Sequence, residues 1–149
     1  RGLGDVYKRQ DKEQLSHKVT LASKLDAVGI TVTPINKRGK ETNKISKIEQ
    51  IKVCFTIAKN VTAEVGEKYI YLRIMKPDGD ILVKSRADLF HYEDKEINFS
   101  TRKLIEYDGE EMNLCLYWNV EEFLYPGDYR VDIFADNYMI GSKSFSLEK

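Results

Sequence analysis

Two cysteines, two histidines and 24 carboxylates are the side chains here with the best claim to covalent or acid–base chemistry. Nucleophilic catalysis needs a serine or cysteine beside a positioned base. The bases are His17 and His91, and no G-x-S-x-G elbow presents a serine. Spacing alone leaves Cys115 and His91 open as a thiol–imidazole pair, but an unrelated strand cysteine and loop histidine is the simpler reading. The carboxylates are spread along the whole chain, so no two stand out as a general acid and base. Asp78 and Asp80 flank Gly79 without the longer oxygen-rich loop that calcium requires. Two cysteines are too few for a zinc cage, and no glycine-rich phosphate loop follows a strand. The expectation is no catalytic residue, no cofactor and no metal.

Binding chemistry is better represented. Residues 36–47, NKRGKETNKISK, hold five cations, Lys37, Arg38 and Lys40 among them, against the single carboxylate Glu41. Such a loop can meet phosphate, anionic lipid or an acidic partner, although a solvated connection between strands is the plainer reading. It has no interleaved aromatic residue on which bases could stack. Nine tyrosines are present, and Tyr92, Tyr107, Tyr117 and Tyr125 fall in turns or opposite the apolar set of their strands. Exposed rings of this kind stack on sugars or anchor protein interfaces. Tyrosine is also a favoured strand residue, which explains most of the nine.

The elements that position these residues read as strands. In residues 126–147, Tyr129, Val131, Ile133 and Ala135 alternate with Arg130, Asp132 and Phe134, the period of a half-buried strand. Asp136-Asn137 supplies a tight turn. The chain then returns through Met139, Gly141, Lys143, Phe145 and Leu147. This closing hairpin leaves an apolar face that a second sheet must cover. Upstream, Val28, Ile30 and Val32 mark a first strand, and Ile51, Val53, Phe55 and Ile57 a second. Residues 69–75 form a third, and Pro77-Asp78-Gly79-Asp80 a turn into a short strand over 81–84. A polar connection follows over 85–96, then strand character over 97–107. Met112, Leu114, Leu116 and Trp118 form a strand with a buried tryptophan. About eight strands with turn signals at roughly 8–15 residue spacing make a β-sandwich, not βαβ units.

Two N-terminal segments differ from this. Leu15, Val19, Ala22 and Leu25 form one apolar stripe, which predicts a helix over 11–26, either docked on the domain or ending a coiled coil. Self-association through that stripe is expected. Residues 1–10, RGLGDVYKRQ, resemble a peptide translated from sequencing-adapter DNA, so no function is expected of them and the native start is expected upstream. The domain proper is then 27–149. Equal numbers of basic and acidic residues, 24 of each, argue against a general nucleic-acid binder. No run is apolar for the ~18 residues that a membrane-spanning helix needs.

Three stretches, AVGITVTPINKRGKETNKISKI, QIKVCFTIAKNVTAEVGEKYIYLRIMKPDGDIL and VEEFLYPGDYRVDIFADNYMIGSKSFSLEK, carry a resemblance. They are similar to the C-terminal domain of proteins from gut anaerobic bacteria built as a membrane anchor, a long coiled coil and an immunoglobulin-like domain. The resemblance implies an immunoglobulin-like antiparallel β-sandwich, a place in the cell envelope on the periplasmic side, and membrane attachment only through an upstream anchor. It implies no catalytic residue. The expected role is a non-catalytic interaction or structural module with a protein partner. Rival readings are a carbohydrate-binding module and an accessory domain of an upstream enzyme.

On an immunoglobulin-like sandwich the familiar disulfide crosses the core between strands B and F. Here each cysteine points away from the apolar set of its strand, and the closing hairpin takes the places of F and G. Strands 51–58 and 112–118 then become B and E, neighbours in one sheet. Cys54 and Cys115 are expected on the outer face of adjacent strands, where β-carbons about 4.5–5.5 Å apart exceed the ~3.8 Å of a relaxed disulfide; free thiols are the preferred state, and a strained bridge in an oxidising envelope is the alternative.

Overall fold

A computed structural model describes residues 23–149. They form nine strands: β1 (Ala27–Ile35), β2 (Gln50–Ile57), β3 (Gly66–Met75), β4 (Leu89–Tyr92), β5 (Lys95–Asn98), β6 (Thr101–Tyr107), β7 (Met112–Asn119), β8 (Gly127–Ala135) and β9 (Tyr138–Leu147). One sheet has the order β1-β2-β7, the other β6-β3-β8-β9, and β4-β5 is a separate hairpin. All these pairings are antiparallel.

Period-two patterning builds the core. Along β2, Ile51, Val53, Phe55 and Ile57 are buried; along β7, Leu114, Leu116 and Trp118 are. From the second sheet come Ile70, Leu72 and Ile74 of β3, Ile105 of β6, Val131 and Ile133 of β8, and Leu147 of β9. These side chains form a single cluster between the sheets. The Asp136-Asn137 turn has φ of 51° and 68°, as the hairpin turn requires. In the Pro77–Asp80 turn, Gly79 has φ 90° and donates its N–H to the Lys76 carbonyl at 2.9 Å.

Several expectations are corrected. Residues 23–26 are not helical, and Leu25 is in the core, so it is not part of a free stripe. Leu15, His17, Val19 and Ala22 lie outside the described residues, as do residues 1–10. Residues 81–84 make only an isolated bridge, Ile81 to Met75, because the chain leaves the sheet once Leu82 has been buried. The polar connection at 85–96 contains β4 and most of the β4–β5 hairpin. Its Phe90 packs with Phe99 and Phe134 on the outer side of the second sheet, a small core apart from the main one.

Two bulges explain misassigned faces. The β1–β2 register shifts between Val28 and Thr31, where Gly29 has φ 61°. Val28 therefore faces out opposite Thr56, while Val32 faces in opposite Val53. The β8–β9 register shifts at Ile133/Phe134, so Met139 opposes outward Phe134 while Gly141 opposes inward Ile133.

At Gly141 on β9 the second sheet packs closely against β1 of the first. A Cβ there would lie 2.7 Å from Ile30 Cδ1 and 3.0 Å from Ala27 Cβ, both on β1 of the other sheet. Gly141→Val should force β1 and β9 apart and cost about 1–3 kcal/mol, as overpacking does. A urea midpoint unchanged from wild type would show that the edge has slack.

The cysteines lie on adjacent antiparallel strands, directly opposite each other in the β2–β7 register. Their strand neighbours Val53, Phe55, Leu114 and Leu116 are buried, which turns the cysteines to the outer face. The free-thiol expectation is overturned: Cys54 and Cys115 form a disulfide, with Cα atoms 4.1 Å apart. Their Cα atoms lie closer than the ~4.5 Å usual for a directly opposed, non-hydrogen-bonded antiparallel pair, which brings the two sulfurs within bonding reach.

Candidate functional site

The β1–β2 connection and the β7–β8 connection meet at one end of the sandwich. In the first, Asn36 Oδ1 accepts the backbone N–H groups of Arg38 at 2.9 Å and Lys40 at 3.0 Å. This Asx turn, with Gly39 at φ 80°, leaves Lys37, Arg38 and Lys40 exposed. In the second, Leu124 is buried, so its neighbours Phe123 and Tyr125 face solvent at 73% and 50% exposure. Their rings sit edge to face, centroids 5.4 Å apart.

Buried groups hold the aromatic loop. The Tyr129 hydroxyl donates to the Tyr125 carbonyl at 2.7 Å and accepts the Tyr125 N–H at 3.1 Å. Lys76 Nζ reaches Glu122 Oε2 at 3.3 Å. At Gly127, φ is 137° and an added Cβ would lie 2.9 Å from Pro77 Cγ, so the 77–80 turn packs directly against this corner.

Two grooves open here. One, of about 530 Å3, is lined by Ile45, Val120, Phe123 and Leu124 with Glu122 and Lys149 at its margin. The other, of about 420 Å3, is lined by Asn36, Lys37, Glu49, Gln50, Asn119 and Val120. Val120 lines both, so the two grooves are neighbours at this end of the sandwich, one beside the basic loop and one beside the aromatic pair; together they are the trough end.

The other sequence-derived candidates scatter. Tyr117 is 47% exposed on the outer face of the first sheet, opposite Lys52. Tyr92 is half-buried against Phe134 on the far hairpin, ring centroids 4.9 Å apart. Tyr107 is corrected outright: it is 1% exposed, because β6 points Ile105 and Tyr107 inward, and it cannot serve as a surface residue. The Cys115–His91 pair is also removed, since Cys115 sulfur is bonded to Cys54 and His91 lies on the hairpin over the other sheet. Phe123 was missed. Its signal was the F-L-Y run: if Leu124 is buried, both neighbours must point out.

A second polar cluster lies on the outer face of the second sheet. Asp132, 2% exposed, accepts from Arg130 Nη2 at 3.1 Å and from Ser142 Oγ at 2.8 Å, and Arg130 Nε stands 3.1 Å from its Oδ1 as an ion pair. Arg73 Nε donates to the Asn98 carbonyl at 2.8 Å, tying the hairpin down. These groups satisfy one another and read as structural. Among the described residues, no three His, Cys, Asp or Glu side chains converge as metal ligands, and no helix is long and apolar enough to cross a membrane.

Burial raises the phenol pKa of Tyr129, and likewise those of Tyr92 and Tyr107. A raised folded-state value stabilises the protein fully below the ordinary tyrosine value of about 10 and is lost as pH rises through the folded value. Stability should therefore fall as pH rises above that ordinary value, before arginine titrates. Thermal melts across the alkaline range check this; a flat profile there would contradict it.

The family profile of a domain of unknown function, DUF8428, matches residues 28–148, nearly all of the sandwich. The chain belongs to the DUF8428 family. No curated protein matches the DUF8428 chain in sequence. Among solved structures, it is similar to the β-glucosidase of Listeria innocua in complex with glucose, at 12% identity and TM-score 0.49, covering 85% of this chain and 16% of that one. It is also similar to the β-glucosidase of Kluyveromyces marxianus, at 11% identity and TM-score 0.47, covering 81% and 15%. A third is the Pseudomonas fluorescens alkylpurine DNA glycosylase AlkC bound to DNA containing an abasic site analog, at 15% identity and TM-score 0.46, covering 85% and 31%. The DUF8428 chain thus spans less than a third of each of these chains, and such similarities carry no argument about its activity.

Proposed function

We propose that this DUF8428 domain is a non-catalytic binding module on an immunoglobulin-like sandwich, and that the trough end is its binding surface. The observation that carries the reading is the exposure of Phe123 and Tyr125, side by side, at the end of the sandwich that also carries the cationic 36–40 turn. Large exposed rings in a loop pinned from beneath are the composition of an interface anchor.

The sheet orders support the fold label. β1-β2-β7 and β6-β3-β8-β9 correspond to strands A-B-E and C′-C-F-G of fibronectin-type sandwiches. Tyr129, near the start of β8, bonds to the backbone four residues upstream, as the tyrosine corner of that fold does. The Cys54–Cys115 bond fits an oxidising compartment such as the periplasmic side of the cell envelope.

Polarity along the sandwich supports the choice of end. Ala27 opposes Ile57 at one end of β1 and Ile35 opposes Gln50 at the other. Nine residues of strand at ~3.3 Å each separate the two ends by about 30 Å. A membrane-anchored coiled coil joined through residue 23 would enter at the Ala27 end and leave the trough pointing away from its attachment. The alternative, carbohydrate binding, draws on the same exposed rings. An array of peptides and glycans probed with wild type and Phe123→Ala tests the module reading. Loss of a specific signal in the variant is expected. Signals unchanged by the substitution would move the binding surface elsewhere.

A further inference from the structure

We infer that the trough takes an extended protein segment that carries acidic residues beside an apolar side chain. The inference rests on the binding-end reading above and names the partner class of that site. Three features select this occupant. The first is charge. Lys37, Arg38, Lys40, Lys44 and Lys47 of the β1–β2 connection and Lys149 of the C-terminus make no ion pair among the described residues. Of the carboxylates lining the trough, Glu122 is already engaged by Lys76, which leaves Glu49. Glu41 lies within the connection itself and Glu148 beside its Lys44 strand bridge. Only Lys37 and Lys149 of these cations line the grooves, and Glu121 is exposed beside Val120; the excess of positive charge belongs to the 36–47 connection, which borders the groove lined by Lys37 and attracts carboxylates there.

The second feature is the apolar half. Ile45, Val120, Phe123 and Leu124 line a concavity with ample room for a leucine- or phenylalanine-sized side chain, whose entry removes apolar surface of both partners from water. A bilayer surface does not enter a concave groove in this way.

The third is the geometry of the rings, which disfavours a sugar. The Phe123 and Tyr125 rings stand at 74° to each other and make a notch, not the flat platform on which a pyranose stacks.

The test is selection from a random-peptide phage library on the intact protein, followed by fluorescence polarisation with the selected peptides. Enrichment of Asp or Glu next to Leu, Ile, Phe or Trp is expected. Phe123→Ala and the triple variant Lys37→Glu, Arg38→Glu, Lys40→Glu should each weaken binding about tenfold or more, the range of interface anchors. Binding should also weaken with added salt. All four residues are exposed, so far-ultraviolet circular dichroism should match wild type and separate lost binding from lost folding. Failure to enrich any sequence, or enrichment of basic or purely apolar peptides, would overturn the inference. Chito-oligosaccharide binding, or binding to phosphatidylglycerol vesicles, that is lost in Phe123→Ala would overturn the peptide class and leave the binding end standing. Peptides insensitive to both variants would overturn the binding end as well.

Discussion

Replacing Cys54 and Cys115 together by serine should destabilise the domain by about 2–4 kcal/mol, for a disulfide that closes a loop of 61 residues. Stability is lost mainly because the unfolded chain regains the freedom that the bond removes. The strands stay paired either way, since β2 and β7 match over eight residues from Gln50↔Asn119 to Ile57↔Met112. Both cysteines are on the outer, partly accessible face, so serine hydroxyls there can meet water and add little penalty of their own. The thermal midpoint should fall by about 10 °C for a chain of this size. Treating the wild type with dithiothreitol should produce the same fall, and reductant should leave the double variant unchanged. A wild type indifferent to reductant would mean that the bond is not formed in the folded protein.

Phe134→Ala should be nearly as costly, about 3 kcal/mol or more, the range for removing a buried phenylalanine. Phe134 is 2% exposed although it faces away from the main core. Phe90 covers it at a centroid distance of 5.2 Å and Tyr92 at 4.9 Å, both edge to face. Tyr71 stacks on Phe90 at 4.3 Å and extends the cluster. A two-stranded hairpin is marginal alone, so β4–β5 depends on this packing and on the Arg73–Asn98 hydrogen bond. The variant should lose amide protection over residues 89–98 first, while β2 and β7 stay protected. Uniform loss of protection would show that the hairpin and the sandwich unfold as one unit.

Where burial alone sets the period, the strands could be read directly. β2 and β7 alternate without interruption, and their buried faces follow from Ile51, Val53, Phe55, Leu114, Leu116 and Trp118. Placing Cys54 and Cys115 on adjacent strands needed the strand count of an immunoglobulin-like sandwich as well. Their oxidation was not legible, because average cross-strand spacing does not fix one pair's geometry. The bulges at Gly29 and Ile140 were hidden for a related reason: one extra residue reverses every side chain beyond it. The β4–β5 hairpin was missed because its sequence is polar and only Phe90 is well buried. That the outer face of the second sheet holds an aromatic cluster for it to cover is a tertiary fact. Residues 81–84 looked like a strand because Leu82 is fully buried, but burial without a ladder does not make one. In the trough, Lys37, Arg38, Lys40 and Tyr125 were legible one by one. Their meeting with Phe123 around Val120 depends on strand order.

Nuclear magnetic resonance mapping of a selected acidic–apolar peptide onto the labelled protein tests the binding end most directly. The account predicts shifts confined to the 36–49 connection, residues 119–125 and the C-terminal Glu148 and Lys149, with Phe123 ring protons among the most perturbed. Shifts centred on the far end around Asp136 and Asn137, or on the outer face around Tyr69 and Arg102, would contradict it.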